Sequence, residues 1–246
     1  MIMKIFSKLL SLALILTISA TAHADIYHKS EPGKVLTQEE RQLGSFKGVA
    51  ISGAVKAFVK MGNEEKVRLE GDQEAIAQLI TEIKDGILII RPKTKWKDWN
   101  RKFDDSRVTA YVTAKKLGSL IMSGSGSIEV QGSINNPSLA TTLSGSGDIK
   151  VPANVNTLTA IISGSGNIEM EGKANQAKII INGSGNFKGN ALTVEEVSTQ
   201  ISGSGSIYVK ANKKINAVTS GSGTVYYSGN PAIEKRVIGS GDVRRN

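Results

Sequence analysis

The chain has 246 residues, a formal charge of +9, no cysteine, two histidines and 26 glycines against five prolines. Without cysteine there is neither a disulfide scaffold nor a thiolate metal site, and two histidines leave no Cys/His cluster to build. Stability has to come from packing and sheet hydrogen bonds.

Lys4 and Lys8 mark a basic start, Leu9 to Ile18 is an apolar run broken only by Ser11 and Thr17, and Ala22-His23-Ala24 supplies small residues at a cleavage site. Residues 1–24 read as a secretory signal peptide cleaved after Ala24. The run is well short of the roughly 20 apolar residues that a membrane span needs. The expectation is an exported protein, periplasmic or at the cell surface if the source is a bacterium, with no integral membrane segment after cleavage. Loss of Lys4 and Lys8 takes the net charge from +9 to +7, which favours anionic surfaces or simply keeps the chain soluble. Asp25 to Glu40, within a segment 25–45, is polar and reads as loose.

From Phe46 the pattern becomes strand-like, through Gly48 to Gly53 and Ala54 to Lys60. Val67 and Leu69 alternate with Lys66, Arg68 and Glu70, as in a half-buried strand. Asp72 suits a helix N-cap, and Ala75, Ile76, Leu79, Ile80 and Ile83 recur at three- and four-residue spacing. That spacing predicts one helix over Asp72 to Lys84. Asp85-Gly86 is a turn signal, and Ile87 to Ile90 is an apolar strand stopped before Pro92. A basic segment with both tryptophans follows, and Val108 to Val112 alternates again.

A tetrapeptide dominates the remainder. Ser123-Gly124-Ser125-Gly126 returns around Gly145 and Gly147, Gly164 and Gly166, Gly183 and Gly185, Gly203 and Gly205, and Gly221 and Gly223, and Gly239-Ser240-Gly241 closes the series. The steps are 21, 19, 19, 20 and 18 residues. Periods near 20 mark a solenoid, whose coils bury their apolar sides only by stacking. Two residues after each last glycine comes an apolar column: Ile128, Ile149, Ile168, Phe187, Ile207, Val225 and Val243. On the opposite face Glu129, Lys150, Glu169 and Lys188 alternate in charge before Tyr208, Tyr226 and Arg244. The next inward column, Val130, Val151, Met170 and Val209, is interrupted by Gly189 and Tyr227, and Met122, Leu143, Ile162, Ile181 and Ile201 form another upstream. Inward columns on both sides of a glycine corner require an all-β, parallel β-solenoid (β-helix-like) of about 20-residue coils, with one short helix in the N-terminal half. The glycines make the tight corner, and the serines between them are expected to satisfy backbone groups locally. One domain is expected over 46–246: an irregular part at 46–116, then repeat coils at 117–246.

Other readings of the glycine-rich motif fail on spacing. No copy has the lysine and hydroxyl of a phosphate loop or feeds a helix. A calcium roll needs an aspartate at a fixed place in every copy, but only Asp148 and Asp242 stand there, with Ser127, Asn167, Asn186, Ser206 and Thr224 in the other copies.

The sequence resembles the bacterial family described as putative auto-transporter adhesin, head GIN domain, a domain of unknown function. The resemblance runs from about Phe46 to Arg245. It rests on Phe46-Lys47-Gly48-Val49 with Ile51-Ser52-Gly53, Leu69-Glu70-Gly71-Asp72, and Thr81 to Gly86 with Leu88-Ile89-Ile90. The Ser-Gly-Ser-Gly copies and Tyr226-Tyr227-Ser228-Gly229-Asn230-Pro231 complete it. It implies an exported β-solenoid and carries no catalytic residues over.

Catalysis is not expected. His23 leaves with the leader and His28 lies in the loose segment, so no serine–histidine–acid triad forms in an ordered region. Glu129 and Glu169 could pair for glycoside hydrolysis on a polysaccharide-acting solenoid, but Lys150 between them favours two carboxylates and no general acid. No catalytic, metal-binding or cofactor-binding residue is assigned. The candidate ligand surface is Lys93, Lys95, Trp96, Lys97, Trp99, Arg101 and Lys102, where indoles beside cations suit an anionic polysaccharide, an envelope lipid or a surface protein. The plainer reading has Trp96 and Trp99 covering an end of the core. The function expected is a non-catalytic adhesion or binding module of the cell envelope; the alternative is a structural scaffold that self-assembles as a homo-oligomer.

Overall fold

A computed structural model describes residues 36–94 and 108–246. In chain order the strands are β1 (Leu36–Arg41), β2 (Gly48–Gly53), β3 (Lys56–Met61) and β4 (Lys66–Asp72), then helix α1 (Gln73–Ala77), β5 (Leu79–Lys84), β6 (Ile87–Pro92) and β7 (Val108–Ala114). The repeats supply β8 (Ser119–Gly124), β9 (Ser127–Gln131), β10 (Ile134–Gly145), β11 (Asp148–Gly164), β12 (Asn167–Gly183), β13 (Asn186–Gly203) and β14 (Ser206–Gly221), followed by β15 (Thr224–Ser228), β16 (Ala232–Ile238) and β17 (Asp242–Arg245).

The repeat strands stack in parallel and in register, one coil on the next. Ile128 pairs with Ile149, Ile149 with Ile168, Ile168 with Phe187, Phe187 with Ile207, Ile207 with Val225 and Val225 with Val243. All seven are buried within one apolar core that runs from Phe46 to Val243. The interrupted column has a packing reason. A Cβ on Gly189 would lie 2.6 Å from Phe187 Cε1, so the larger Phe187 ring occupies the space that a side chain at 189 would need.

Each corner uses its two glycines differently. Gly164 has φ +128°, and a Cβ there would overlap the Gly145 carbonyl of the coil beneath; Gly166 has no positive φ but lacks room, because a Cβ would overlap the Gly147 carbonyl and sit 2.7 Å from Leu143 Cδ2. The corner donors are met by backbone, not by serine hydroxyls as the sequence suggested. The Ser165 and Gly166 N–H groups both donate to Gly145 O, at 3.0 and 3.1 Å, and the same pair recurs at Ser184 and Gly185 onto Gly164 O. The serines are exposed. The position after the corner forms an amide ladder: Asn167 Nδ2 donates to Asp148 Oδ1 at 2.9 Å and Asn186 Nδ2 to Asn167 Oδ1 at 3.0 Å.

The corner divides each coil into a strand leading in and a strand leading out, giving two sheet faces. The pre-corner face runs β5, β6, β2, β8, then the later parts of β10 to β14, then β16. The post-corner face runs β1, β4, β7, β3, β9, then the earlier parts of β11 to β14, then β15 and β17. Differences in coil length are absorbed away from the corner, by register shifts between Glu169 and Glu171, Gly189 and Thr193, and Val194 and Glu196.

Two expectations for the N-terminal part need correction. Asp72 does cap a helix, its carboxylate accepting from Ala75 N–H at 3.1 Å, but the helix ends at Ala77 and Leu79 to Lys84 is strand β5, antiparallel to β6. Asp85 (φ +53°) and Gly86 (φ +75°) both adopt positive φ, the backbone of a type I′ hairpin turn. The turn folds the β-branched Ile80, Thr81 and Ile83 back onto Arg91, Ile90 and Leu88, so sheet pairing overrides a spacing that also fits a helix. Within the polar segment, Leu36–Arg41 forms β1, antiparallel to the free edge of β4, and the Lys66–Glu40 ion pair at 2.8 Å joins the two strands.

Candidate functional site

Of the basic and aromatic segment singled out above, Lys93 is described. Its ammonium donates to Ala77 O at 2.6 Å and its amide to Gln78 O at 2.9 Å, so Lys93 ties the end of β6 to the end of α1. Lys95, Trp96, Lys97, Trp99, Arg101 and Lys102 lie outside the described residues, and so does the leader.

The described residues bring a different set together, on the outward side of the post-corner face. In-register pairing lines up Glu40, Arg68, Tyr111, Phe58, Glu129, Lys150, Glu169, Lys188, Tyr208, Tyr226 and Arg244. The charged middle behaves as the alternation requires: Lys150 Nζ lies 3.3 Å from Glu169 Oε1. At the C-terminal end Tyr208 and Tyr226 stack with centroids 4.7 Å apart. The Arg244 guanidinium covers Tyr226 at 4.8 Å and donates to its hydroxyl at 2.7 Å, and that hydrogen bond raises the Arg244 pKa above its ordinary value. At the other end Arg68 covers Tyr111 at 4.5 Å, Tyr111 stacks on Phe58 at 5.7 Å, and Lys56 sits 4.6 Å over Phe58. Each of these rings thus has at least one face covered by a neighbour, and Tyr111 and Tyr226 each lie between a ring and a guanidinium. What they offer solvent is ring edges and the cationic tips that cover them.

Around the second cluster the face is concave. A groove of about 540 Å³ is lined by Glu40, Phe58, Lys60, Lys66, Arg68, Tyr111, Val112, Thr113 and Gln131. Three cations face one carboxylate there. Glu40 engages Lys66 and, through that hydrogen bond first, raises the Lys66 pKa above the ordinary lysine value. Arg68 is held by Gln38 at 3.1 Å and by Glu70 at 3.7 Å, and Lys60 is exposed. The groove can accept carboxylate or phosphate oxygens at Lys60 and Arg68 over a partly apolar floor. Sequence reading missed it because Phe58 and Tyr111 become neighbours only across the β4-to-β6 insertion. The available signal was Phe58 between Lys56 and Lys60, an aromatic at the outward position of an alternating strand.

Stacked parallel coils, a glycine corner in register and an outward ladder of rings and charges define a β-solenoid with a decorated sheet face. Among solved structures, a putative adhesin from Bacteroides fragilis NCTC 9343 matches with a TM-score of 0.77 and 20% identity, over 87% of this chain and 99% of that one. A putative lipid binding protein from Parabacteroides distasonis ATCC 8503 matches with 0.69 and 22%, over 86% and 96%. A putative adhesin from Parabacteroides merdae ATCC 43184 matches with 0.67 and 20%, over 87% and 97%. At these identities the likeness is one of fold. The family model described as putative auto-transporter adhesin, head GIN domain matches residues 45–231, and the chain belongs to that family. No curated protein matches the sequence. No described helix is long and apolar enough to cross a membrane.

Proposed function

We propose that this chain is an exported, non-catalytic binding module of the cell envelope, and that it holds anionic groups of an envelope polymer or lipid in the groove at Lys60, Lys66 and Arg68. The single observation that carries the reading is the excess of cations lining a concave, partly apolar site on the sheet face. A net charge of +7 after loss of the leader draws anionic partners to the molecule. Membership of an adhesin-head family and a fold neighbour described as lipid binding support a binding role. The non-catalytic part rests on the Glu129 and Glu169 column, where Lys150 stands between the two carboxyl groups with its ammonium 3.3 Å from Glu169 Oε1.

The test is retention of the mature protein on an acidic polysaccharide, run beside co-sedimentation with anionic and with neutral vesicles. Lys60→Glu combined with Arg68→Gln should weaken binding about tenfold or more, and the loss should shrink as salt is raised. The two anionic probes separate polymer from lipid. A Trp96→Ala/Trp99→Ala variant in the same assay addresses the segment from Lys93 to Lys102, which we retain as a second candidate surface. Full binding by a folded Lys60/Arg68 variant would refute the groove.

A further inference from the structure

The outward side of the pre-corner face carries a column that the anion reading does not use. Pairing lines up Glu82, Ile89, Ala50, Ile121, Thr142, Ile161, Ile180, Gln200, Val218 and Arg236 in unbroken register. Outward positions of a solvent-facing sheet ordinarily carry polar residues. Here the middle is an isoleucine stripe, half-buried by its own neighbours, and Val218 is 38% exposed. The flanking columns are mostly small. On one side stand Ser52, Ser123, Ser144, Ser163, Asn182, Ser202 and Ser220; on the other stand Ser119, Ala140 and Thr159, followed by the exposed Lys178 beside Ile180 and then Ser198, so Ile121 and Ile161 stand above both flanks and Ile180 is bordered by one lysine.

We propose that this face seats a second copy of the same chain, in a two-fold pair whose coil axes run antiparallel. Charge decides the occupant and the direction. The isoleucine column ends in Glu82 at one end and Arg236 at the other, and the column beside it ends in Lys84 and Glu234, paired with Ile87 and Asn216. Antiparallel axes bring Glu82 onto the partner copy's arginine and Lys84 onto its glutamate, twice over by symmetry, and set Ile121 against Ile180 near the centre. Parallel axes would set Glu82 against Glu82 and Arg236 against Arg236. The in-chain partners leave room for this: Arg91 holds Glu82 at 3.2 Å and Lys214 holds Glu234 at 2.9 Å, each through Oε1, with the two side chains 45% and 64% exposed. Three columns over nine strand spacings make a face of roughly 43 by 20 Å, on the order of 850 Å², close to the roughly 800 Å² per partner of a standard interface. The inference is independent of the anion groove, which lies on the other sheet face, so either can fail alone.

The experiment is sedimentation equilibrium of the mature protein, with each variant checked by circular dichroism and thermal melting. The parent should dimerise, and Ile161→Arg should be a folded monomer. Glu82→Arg and Arg236→Glu should each weaken the dimer about tenfold, because each reversal acts at two contacts, and the double variant should recover. Within one chain the two sites are about 43 Å apart, far beyond the roughly 8 Å screening length of physiological salt, so recovery can arise only between copies. A parent that stays monomeric, or a dimer indifferent to Ile161→Arg, would overturn the proposal. Failure of the double charge swap to recover would overturn the antiparallel arrangement, and this arm does not depend on how the isoleucine variant folds.

Discussion

Gly164→Ala isolates what the corner requires. The residue has φ +128°, where L side chains rarely go, and the added Cβ would overlap Gly145 O while standing 3.1 Å from that residue's carbonyl carbon and nitrogen. A strained backbone of this kind costs about 1–3 kcal/mol. The displaced carbonyl is also the shared acceptor of Ser165 and Gly166, and weakening two backbone hydrogen bonds adds about 1 kcal/mol each. The expected loss is therefore about 3–5 kcal/mol, read as a shift of the urea midpoint by circular dichroism with the slope unchanged. Ser163→Ala and Ser165→Ala change exposed side chains at the same corner and should stay within about 0.5 kcal/mol of the parent. Coils interact chiefly with their neighbours, so Gly183→Ala should match Gly164→Ala, while Gly239→Ala, in the last corner of the described stack, should cost less. If Gly164→Ala proves no more harmful than the serine variants, the backbone account of the repeated glycine is mistaken.

Ile168 is fully buried between Ile149 and Phe187, so Ile168→Ala should cost about 2–5 kcal/mol in the same assay; a loss under about 1 kcal/mol would contradict the packed column. Lys150→Glu removes the 3.3 Å pair with Glu169 and aligns three like charges from Glu129 to Glu169. It should cost about 0.5–2 kcal/mol at low salt and less at high salt, and equal midpoints at low salt would refute the ladder. Thr199 is 1% exposed with no partner for its hydroxyl, whereas Thr141 Oγ1 donates to Thr159 O at 3.4 Å. Thr199→Val should stabilise by about 1 kcal/mol and Thr141→Val should not; the reverse order in thermal melts would show that Thr199 has a partner in solution.

The candidate sites divide by how far apart in sequence their parts lie. The ladder from Glu129 to Arg244 was legible because every member sits at one fixed offset from a glycine corner. Phe58, Arg68 and Tyr111 have no such ruler: an antiparallel excursion through β4, α1, β5 and β6 separates them, and pairing of β3 with β7 and of β7 with β4 sets their register. The isoleucine stripe follows by alternation once Met122, Ile162 and Ile181 are placed inward, but its extension through Ala50 and Ile89 to Glu82, and to Arg236 at the other end, is set by strand pairing that the repeat does not report.

From residue order alone, the repeat determines the coil, its period and its inward columns, because in-register stacking makes sequence offset and spatial position the same thing. It also locates the corners, since a place with no room for a Cβ and a positive φ admits little besides glycine. Only the tertiary structure decided the remainder. Leu79 to Lys84 is a strand because a hairpin turn offers it a partner, β1 is ordered because β4 has a free edge, and Gly189 is tolerated because Phe187 reaches across to fill its place. In each case the deciding energy comes from residues distant in sequence, where no local periodicity reports it.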